Sequence, residues 1–229
     1  TLFGSLKIQI RFFNMDLLLN QYSLNKEWVK YKYRINLKGW NDLNVKDILK
    51  VSPLIAAAKI QDLREAVNSN VGAVILMEAK LNELLEEEFR ELKRKKPIFI
   101  HIDLLKGLSN DKEAIEFIKK YVNPAGIVST KSSVIKSAKK KGLIAIQRIF
   151  LIDTKSLNSA IESVKENNPD IVEVMPALAH SIAKSIKELT NKPVIMAGLV
   201  ENEKQILDGL NSGADGVSFG KKNLWNMNL

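Results

Sequence analysis

The chain has no cysteine among its 229 residues, which excludes disulfides, thiolate metal sites and a cysteine nucleophile and fits a reducing compartment. It has only two histidines, His101 and His180. No Ser sits in a G-x-S-x-G turn, so nucleophilic hydrolase chemistry has no local signature. No apolar run approaches the roughly 20 residues of a membrane span, and Leu17–Leu19 is too short for a signal-peptide core. A cytoplasmic protein without membrane contact is expected. With 45% hydrophobic and 27% charged residues the chain is ordinary globular material, and its length suits one large domain better than two small ones.

Negative charge is also in short supply, since 35 Lys and Arg face 26 Asp and Glu for a formal +9. That balance invites nucleic acid as a partner, but it is uneven. Residues 1–50 hold nine Lys/Arg against four Asp/Glu, a net +5, leaving +4 for everything else. The excess there also fits lysines that are simply solvated.

From Pro53 onward, short Val/Ile/Ala-rich runs alternate with segments of helical period, the pattern of repeated βα units around a parallel sheet. Eight runs start near Leu54, Gly72, Pro97, Gly126, Leu143, Ile171, Val194 and Asp215. Lys96-Pro97, Asn168-Pro169-Asp170, Lys192-Pro193 and Ser212–Asp215 supply turn signals before several of them. Segments such as Ala79–Lys95 and Ser156–Asn167 carry apolar residues three and four apart, as helices do. The fold class expected is α/β, a compact (β/α)8 TIM-type barrel over 49–229; eight units in about 175 residues is short of the usual size of about 250. An open doubly wound sheet is the alternative, and it does not normally need eight parallel strands. Residues 1–48 show no period, are rich in Asn, Lys, Tyr and Phe, and begin at Thr1 rather than Met. They are expected to be an extension outside the barrel, with much of 1–45 either lineage-specific or an artefact of an upstream reading frame.

Polar residues close several of the strands. Alternation along Pro97–Asp103 puts Phe99, His101 and Asp103 on one face and Ile98, Ile100 and Ile102 on the other. The all-Ile face must pack on helices, which turns His101 and Asp103 to the barrel axis. The same reasoning turns Glu173 inward, and it aims Gln147 inward with Arg148 at the mouth. Barrels keep their sites at the carboxyl ends of the strands. A hydrogen-bonded polar plug would show the same residues. Gly198 and Gly220, the latter after Ser218, mark turns following the last two strands, where backbone N–H groups bind phosphate in many barrels. Lys221 and Lys222 would add charge there.

In order, the chain reads HIDLLKGLSND (101–111), GIVSTK (126–131), AIQRIFLID (145–153) and VEVMP (172–176). In these motifs and their spacing it resembles the glycerol uptake operon antiterminator regulatory proteins, from near Lys46 over roughly the last four-fifths of its length. The resemblance implies a regulator rather than an enzyme. Its effector would be glycerol 3-phosphate, with no other cofactor, and its partner the leader mRNA of glycerol-metabolism genes, whose premature termination it prevents. Carried over motif by motif, the effector contacts are Lys59, His101, Asp103, Thr130, Lys131, Gln147, Arg148, Glu173, Gly198, Ser218 and Gly220, together with Pro176. Arg148 is the first choice for the phosphate, because a guanidinium grips two oxygens at once. This chain departs from the family in reading Pro176-Ala177 for Pro-Gly, Ala197-Gly198-Leu199 for Gly-Gly-Leu, and Ser218-Phe219-Gly220 where the family is richer in Thr and Ser. A bulky Phe219 beside a phosphate cup would disturb effector binding. Leu224-Trp225 agrees with the family.

No aromatic-rich RRM signature is present, so an RNA surface has to be inferred from charge. Lys93, Arg94, Lys95 and Lys96, then Lys119 and Lys120, then Lys139, Lys140 and Lys141 precede three successive strands, forming a basic arc on the amino-terminal side of the barrel. Lysines there also complement helix dipoles and need no partner. Tyr31 and Tyr33 among Lys30, Lys32 and Arg34 are a competing surface. A homodimer is a further option. Two enzymatic alternatives stand beside the regulator. One is a metal-dependent phosphoesterase, with His101, Asp103 and Glu173 holding Mg²⁺ or Mn²⁺. The other is a sugar-phosphate isomerase or aldolase with Lys59 as base.

Overall fold

A computed structural model describes residues 45–229. Most of the expected extension, including Lys30 to Arg34 with Tyr31 and Tyr33, lies outside the described residues. Eight parallel strands close into a barrel: β1 (Leu54–Lys59), β2 (Ala73–Lys80), β3 (Ile98–His101), β4 (Gly126–Ser129), β5 (Ile144–Phe150), β6 (Ile171–Met175), β7 (Val194–Ala197) and β8 (Gly216–Phe219). Each pairs with its neighbour in order, and β1 pairs with both β2 and β8 to complete the ring. All eight begin within one residue of the starts read from the sequence.

Before β1 comes α1 (Val45–Val51). Between strands lie α2 (Leu63–Asn68), α3 (Leu81–Leu85) with α4 (Glu87–Lys95), α5 (Lys112–Phe117), α6 (Ser132–Lys140), α7 (Thr154–Asn167), α8 (Ala183–Thr190) and α9 (Glu203–Asn211). Turn chemistry sets their ends. Asp153 opens α7 with a reciprocal capping box, accepting from the Ser156 N–H at 2.7 Å while Ser156 Oγ accepts the Asp153 N–H at 3.0 Å. Asn123, Asn168 and Asn191 take left-handed φ values of 46°, 49° and 53° at three helix ends, and Pro124, Pro169 and Pro193 follow within two residues and prevent continuation.

One expectation needs correction. Ala79–Lys95 is not a single helical connection, because Ala79 and Lys80 still belong to β2 and the chain breaks into α3 and α4 at the extended Glu86. Ala79 and Lys80 pair with a two-residue strand, Leu105–Lys106, at the barrel mouth.

Strand alternation divides the apolar side chains into two sets. Ile98, Ile100, Ile127, Ala145, Val172, Val174, Val194 and Val217 join the cluster packed against the helices. Ile55, Ile75, Phe99, Val128, Ile146, Ile171 and Ile195 are buried on the opposite, axial face. At the amino-terminal end α1 contributes the buried Ile48 and Leu49. A Cβ on Gly216 would lie 3.2 Å from Leu49 Cδ2, so a side-chain-free residue at the start of β8 makes room for this plug. Helix α1 thus straddles the boundary expected at 48/49.

Where helices return to strands, side chains tie adjacent units. Asp170 accepts Lys139 Nζ at 2.6 Å with one oxygen and the Ala145 N–H at 2.9 Å with the other. Asp215 repeats the device with Lys187 at 2.6 Å and the Val194 N–H at 2.9 Å. Each aspartate therefore fixes a strand start and a neighbouring helix end together.

The tightest backbone approach is at Gly126, where an added Cβ would stand 2.2 Å from the Ile144 carbonyl oxygen. Backbone of a neighbouring strand cannot move aside cheaply. Gly126→Ala is expected to lower stability in urea unfolding by about 2 kcal/mol or more. Gly142→Ala, at φ +69° with nothing within 4 Å, is expected to lose only about 1 kcal/mol from the left-handed conformation. Equal midpoints for Gly126→Ala and the unaltered chain would contradict this packing.

Candidate functional site

At the carboxyl end of the barrel the axial face turns from apolar to charged. Arg148 on β5 and Glu173 on β6 are register partners on the inward parity of their strands. Arg148 Nε donates to Glu173 Oε2 at 2.6 Å, with side-chain exposures of 6% and 0%. Arg148 Nη2 also lies 3.6 Å from Met77 Sδ on β2. Glu173 Oε1 is buried and has no partner. A charge pair buried this deeply persists because each member neutralises the other, and removing one typically costs about 3–5 kcal/mol.

His101, at the end of β3, is buried on the same axial face. Burial pushes its imidazole down to about 4, the Arg148 guanidinium adds to the depression, and Asp103 partly opposes it. The ring is therefore neutral at pH 7, and its Nδ1 has no partner. Asp103 lies beyond the strand, in a 3-10 turn over Ile102–Leu104, so alternation does not carry through to it. Its carboxylate accepts Ser129 Oγ at 2.7 Å and, from Thr130, the N–H at 2.8 Å and Oγ1 at 3.0 Å. Ser129 Oγ in turn accepts the Lys131 N–H at 3.0 Å. Asp103 thus orders the turn that leads from β4 into α6, with the Thr130 and Lys131 side chains exposed at the mouth. Lys59 is also exposed there, past a register shift between Ala58 and Lys59 that interrupts the alternation of β1.

A cavity of about 250 Å³ opens beside the charge pair, between the ends of β1, β6, β7 and β8. Arg148, Glu173, Gly198, Ser218 and Gly220 line it, as do Ala57, Met77, Met175, Leu199 and Glu201. Gly198 has φ +78°, and a Cβ there would fall 2.5 Å from Met175 Cε. Leu199 continues the left-handed path at φ +59°, a conformation costing a side-chain-bearing residue about 1 kcal/mol, and its side chain is 63% exposed. Such strain collects at ligand-binding turns. Lys221 at the rim pairs with Glu201 at 2.5 Å. Lys222 is held by Asp62, with Glu65 at 3.4 Å, so its charge is spent on α2 and its preceding turn.

One expectation fails here. Gln147 does not face the axis: its parity is that of Ala145 and Ile149, and it sits under α7, donating to Ser163 Oγ at 2.9 Å and accepting from Asn167 Nδ2 at 3.1 Å. Arg148 takes the inward position instead. Phe219 packs in the outer apolar cluster, where its carbonyl accepts Trp225 Nε1 at 3.2 Å, and it is also among the residues lining the cavity. Of the residues missed, Met77 follows from alternation after Ala73 and Ile75, whereas the left-handed Leu199 leaves no mark in sequence. Sequence alone also could not show that Asp103 is engaged by Ser129 and Thr130 while Glu173 pairs with Arg148. Among the described residues no group of three or more His, Asp and Glu is placed to hold a metal ion.

The basic arc lies at the opposite end of the barrel and is partly engaged. Lys96 Nζ donates to the Ser69 carbonyl at 2.7 Å, and burial brings it down to about 8. Lys93 is bound to the Val122 carbonyl and lies 3.3 Å from that of Asn123. Its ammonium is depressed by burial, then by Arg94 and Arg90. Lys119 reaches the Gly142 carbonyl at 3.5 Å, Lys139 pairs with Asp170, and Lys141 pairs with Glu116 at 2.7 Å. Arg94, Lys95, Lys120 and Lys140 remain exposed.

Because the His101 value is lowered on folding, the unfolded chain takes up a proton near pH 6.5 that the folded chain refuses until about 4. The stability this residue contributes is complete above pH 6.5 and is lost as pH falls toward 4, by on the order of 2–3 kcal/mol. His101→Gln should flatten that part of the urea-derived stability curve relative to the unaltered chain; parallel curves would refute the assignment.

Comparison with known proteins bears on this site. Residues 54–225 match the family model described as glycerol-3-phosphate responsive antiterminator. The uncharacterized protein YgcP of Escherichia coli (strain K12) is 29% identical over 181 residues, 79% of this chain and 95% of that protein. The crystal structure of a glycerol uptake operon antiterminator regulatory protein from Listeria monocytogenes is 29% identical, with a TM-score of 0.72 over 77% of this chain and 96% of its own. A glycerol uptake operon antiterminator-related protein from Thermotoga maritima is 30% identical, with a TM-score of 0.66 over 76% and 98%. The family match spans the whole barrel, from β1 to the buried Trp225, and the chain belongs to the glycerol-3-phosphate-responsive antiterminator family.

Proposed function

We propose that this chain binds glycerol 3-phosphate in the cavity at the barrel mouth and, so loaded, engages the leader mRNA of glycerol-metabolism genes to prevent premature termination. The observation that carries the reading is the unpartnered Glu173 Oε1 beside Arg148 at the cavity wall. A buried carboxylate oxygen without a donor costs about 1–3 kcal/mol until one arrives. Next to it, the guanidinium end not used by Glu173 offers donors to an anion. A small molecule carrying both a hydroxyl and a phosphate satisfies both groups. The glycine turns after β7 and β8 and the inward Ser218 suit the phosphate, by the backbone approach such turns allow.

The metal-dependent phosphoesterase has less support, since Asp103 is committed to Ser129 and Thr130 and Glu173 to Arg148. The exposed cations Arg94, Lys95 and Lys140 serve in this reading as phosphate contacts for RNA, while the engaged lysines hold the arc in shape.

Three measurements test it. A labelled leader transcript titrated at fixed salt should bind more tightly when glycerol 3-phosphate is present; salt-sensitive binding that ignores the effector would overturn the reading. Arg148→Lys keeps the charge but loses the planar fork, and calorimetry should show glycerol 3-phosphate affinity reduced ~10-fold or more; unchanged affinity would remove Arg148 from the site. Changing Arg94, Lys95 and Lys140 together to Gln should reduce the slope of log affinity against log salt by about 2, and an unaltered slope would rule out the arc.

A further inference from the structure

Midway along the basic arc the chain changes its winding. Helix α5 passes into a single π turn, Ile118–Val122, which ends on the left-handed Asn123. Such a turn accommodates an extra residue and is often found at functional sites. This one buries Ile118 and Val122 and leaves Tyr121 53% exposed. The ring is not loose. Phe117 packs against it at 4.7 Å between centroids and 42° between planes, and Lys120 Nζ stands 5.1 Å from its centroid. The Phe117 contact holds the ring in place at the surface, and Lys120 rests over it as an exchangeable neighbour.

Two neighbouring helix ends bring further cations up to the π turn. The Lys93 contacts to Val122 and Asn123 bring the end of α4 against the π turn, and with it the exposed Arg94 and Lys95. On the other side Lys119 reaches Gly142 and Lys141 pairs with Glu116, bringing up the end of α6 and the exposed Lys140. Glu116 on α5 is neutralised by Lys141. An aromatic face between cationic flanks is the arrangement on which unpaired bases stack while their phosphates pair with the flanking charges. A duplex keeps its bases stacked internally and offers the ring nothing.

The geometry points to Tyr121 as the stacking platform for an unpaired base of single-stranded RNA, with Arg94, Lys95, Lys120 and Lys140 receiving the neighbouring phosphates. This placement rests on the RNA-binding reading above and adds what form of RNA is taken and where. Lys120, exposed on a flexible stem, exchanges the ring for a phosphate when the base arrives.

The test uses the full chain, Tyr121→Ala and Tyr121→Phe, titrated by fluorescence anisotropy with a short labelled single-stranded RNA and with the same strand annealed to its complement. Tyr121→Ala should weaken single-strand binding ~5- to 100-fold, whereas Tyr121→Phe, which keeps the ring, stays within about two-fold of the unaltered protein. Duplex binding and glycerol 3-phosphate affinity should not change in either variant, the latter reporting an intact barrel. If the unaltered chain binds the single strand and Tyr121→Ala binds it equally, the placement is wrong while the RNA reading stands. An equal loss on duplex would likewise overturn stacking in favour of charge alone. No binding by the unaltered chain would overturn both.

Discussion

The upper half of the barrel depends on one buried ion pair, Arg148 with Glu173. The two residues are neighbours across the β5–β6 ladder, and both point to an axis that is apolar below them, at Ile146 and Ile171. A slip of either strand by one residue would swing a charge into the outer layer among Val172, Val174 and Ile149. The pair therefore enforces the register that the apolar residues below it prefer. It also sets the chemistry around it: Arg148 helps keep His101 neutral, and Glu173 leaves one oxygen open on the cavity side.

The opposite end solves a different problem. There, helix ends and strand starts must be held together where backbone groups run out of partners. Lysines from one unit reach carbonyls of another, as Lys96 does at Ser69 and Lys93 at Val122, or meet the aspartates that fix strand starts. Much of the charge that reads as a nucleic-acid surface in the sequence is thus spent on joining βα units. Arg94, Lys95, Lys120 and Lys140 stay exposed. The proposed effector and RNA sites lie at opposite ends of the barrel.

The repeating architecture was legible because it is written in local terms. Pro after Asn or Lys and the Gly two residues before Asp215 mark several boundaries, runs of β-branched residues mark the strands, and together they place all eight starts within one residue. Alternation placed Phe99, His101 and Glu173 correctly because their strands are regular at those positions. It misplaced Gln147 and Arg148 by one residue, since Gln147 and Arg148 are both polar and nothing in sequence says which would find partners under α7. It also could not foresee that β3 stops at His101, which sends Asp103 to the next turn.

The sequence by itself determined the number of βα units, their boundaries and the family, because these rest on short-range conformational preferences and on motifs written contiguously. Only the tertiary structure decided which polar groups meet. Arg148 and Glu173 are 25 residues apart, as are Lys141 and Glu116, and partners at that separation are chosen by how strands register and helices pack. The same holds for the unpartnered Glu173 Oε1 at the mouth and for the half-exposed Tyr121 ring beside Phe117 and Lys120 at the base. An open hydrogen-bonding site or a half-exposed ring is a property of everything that packs around it, and no segment of chain carries it alone.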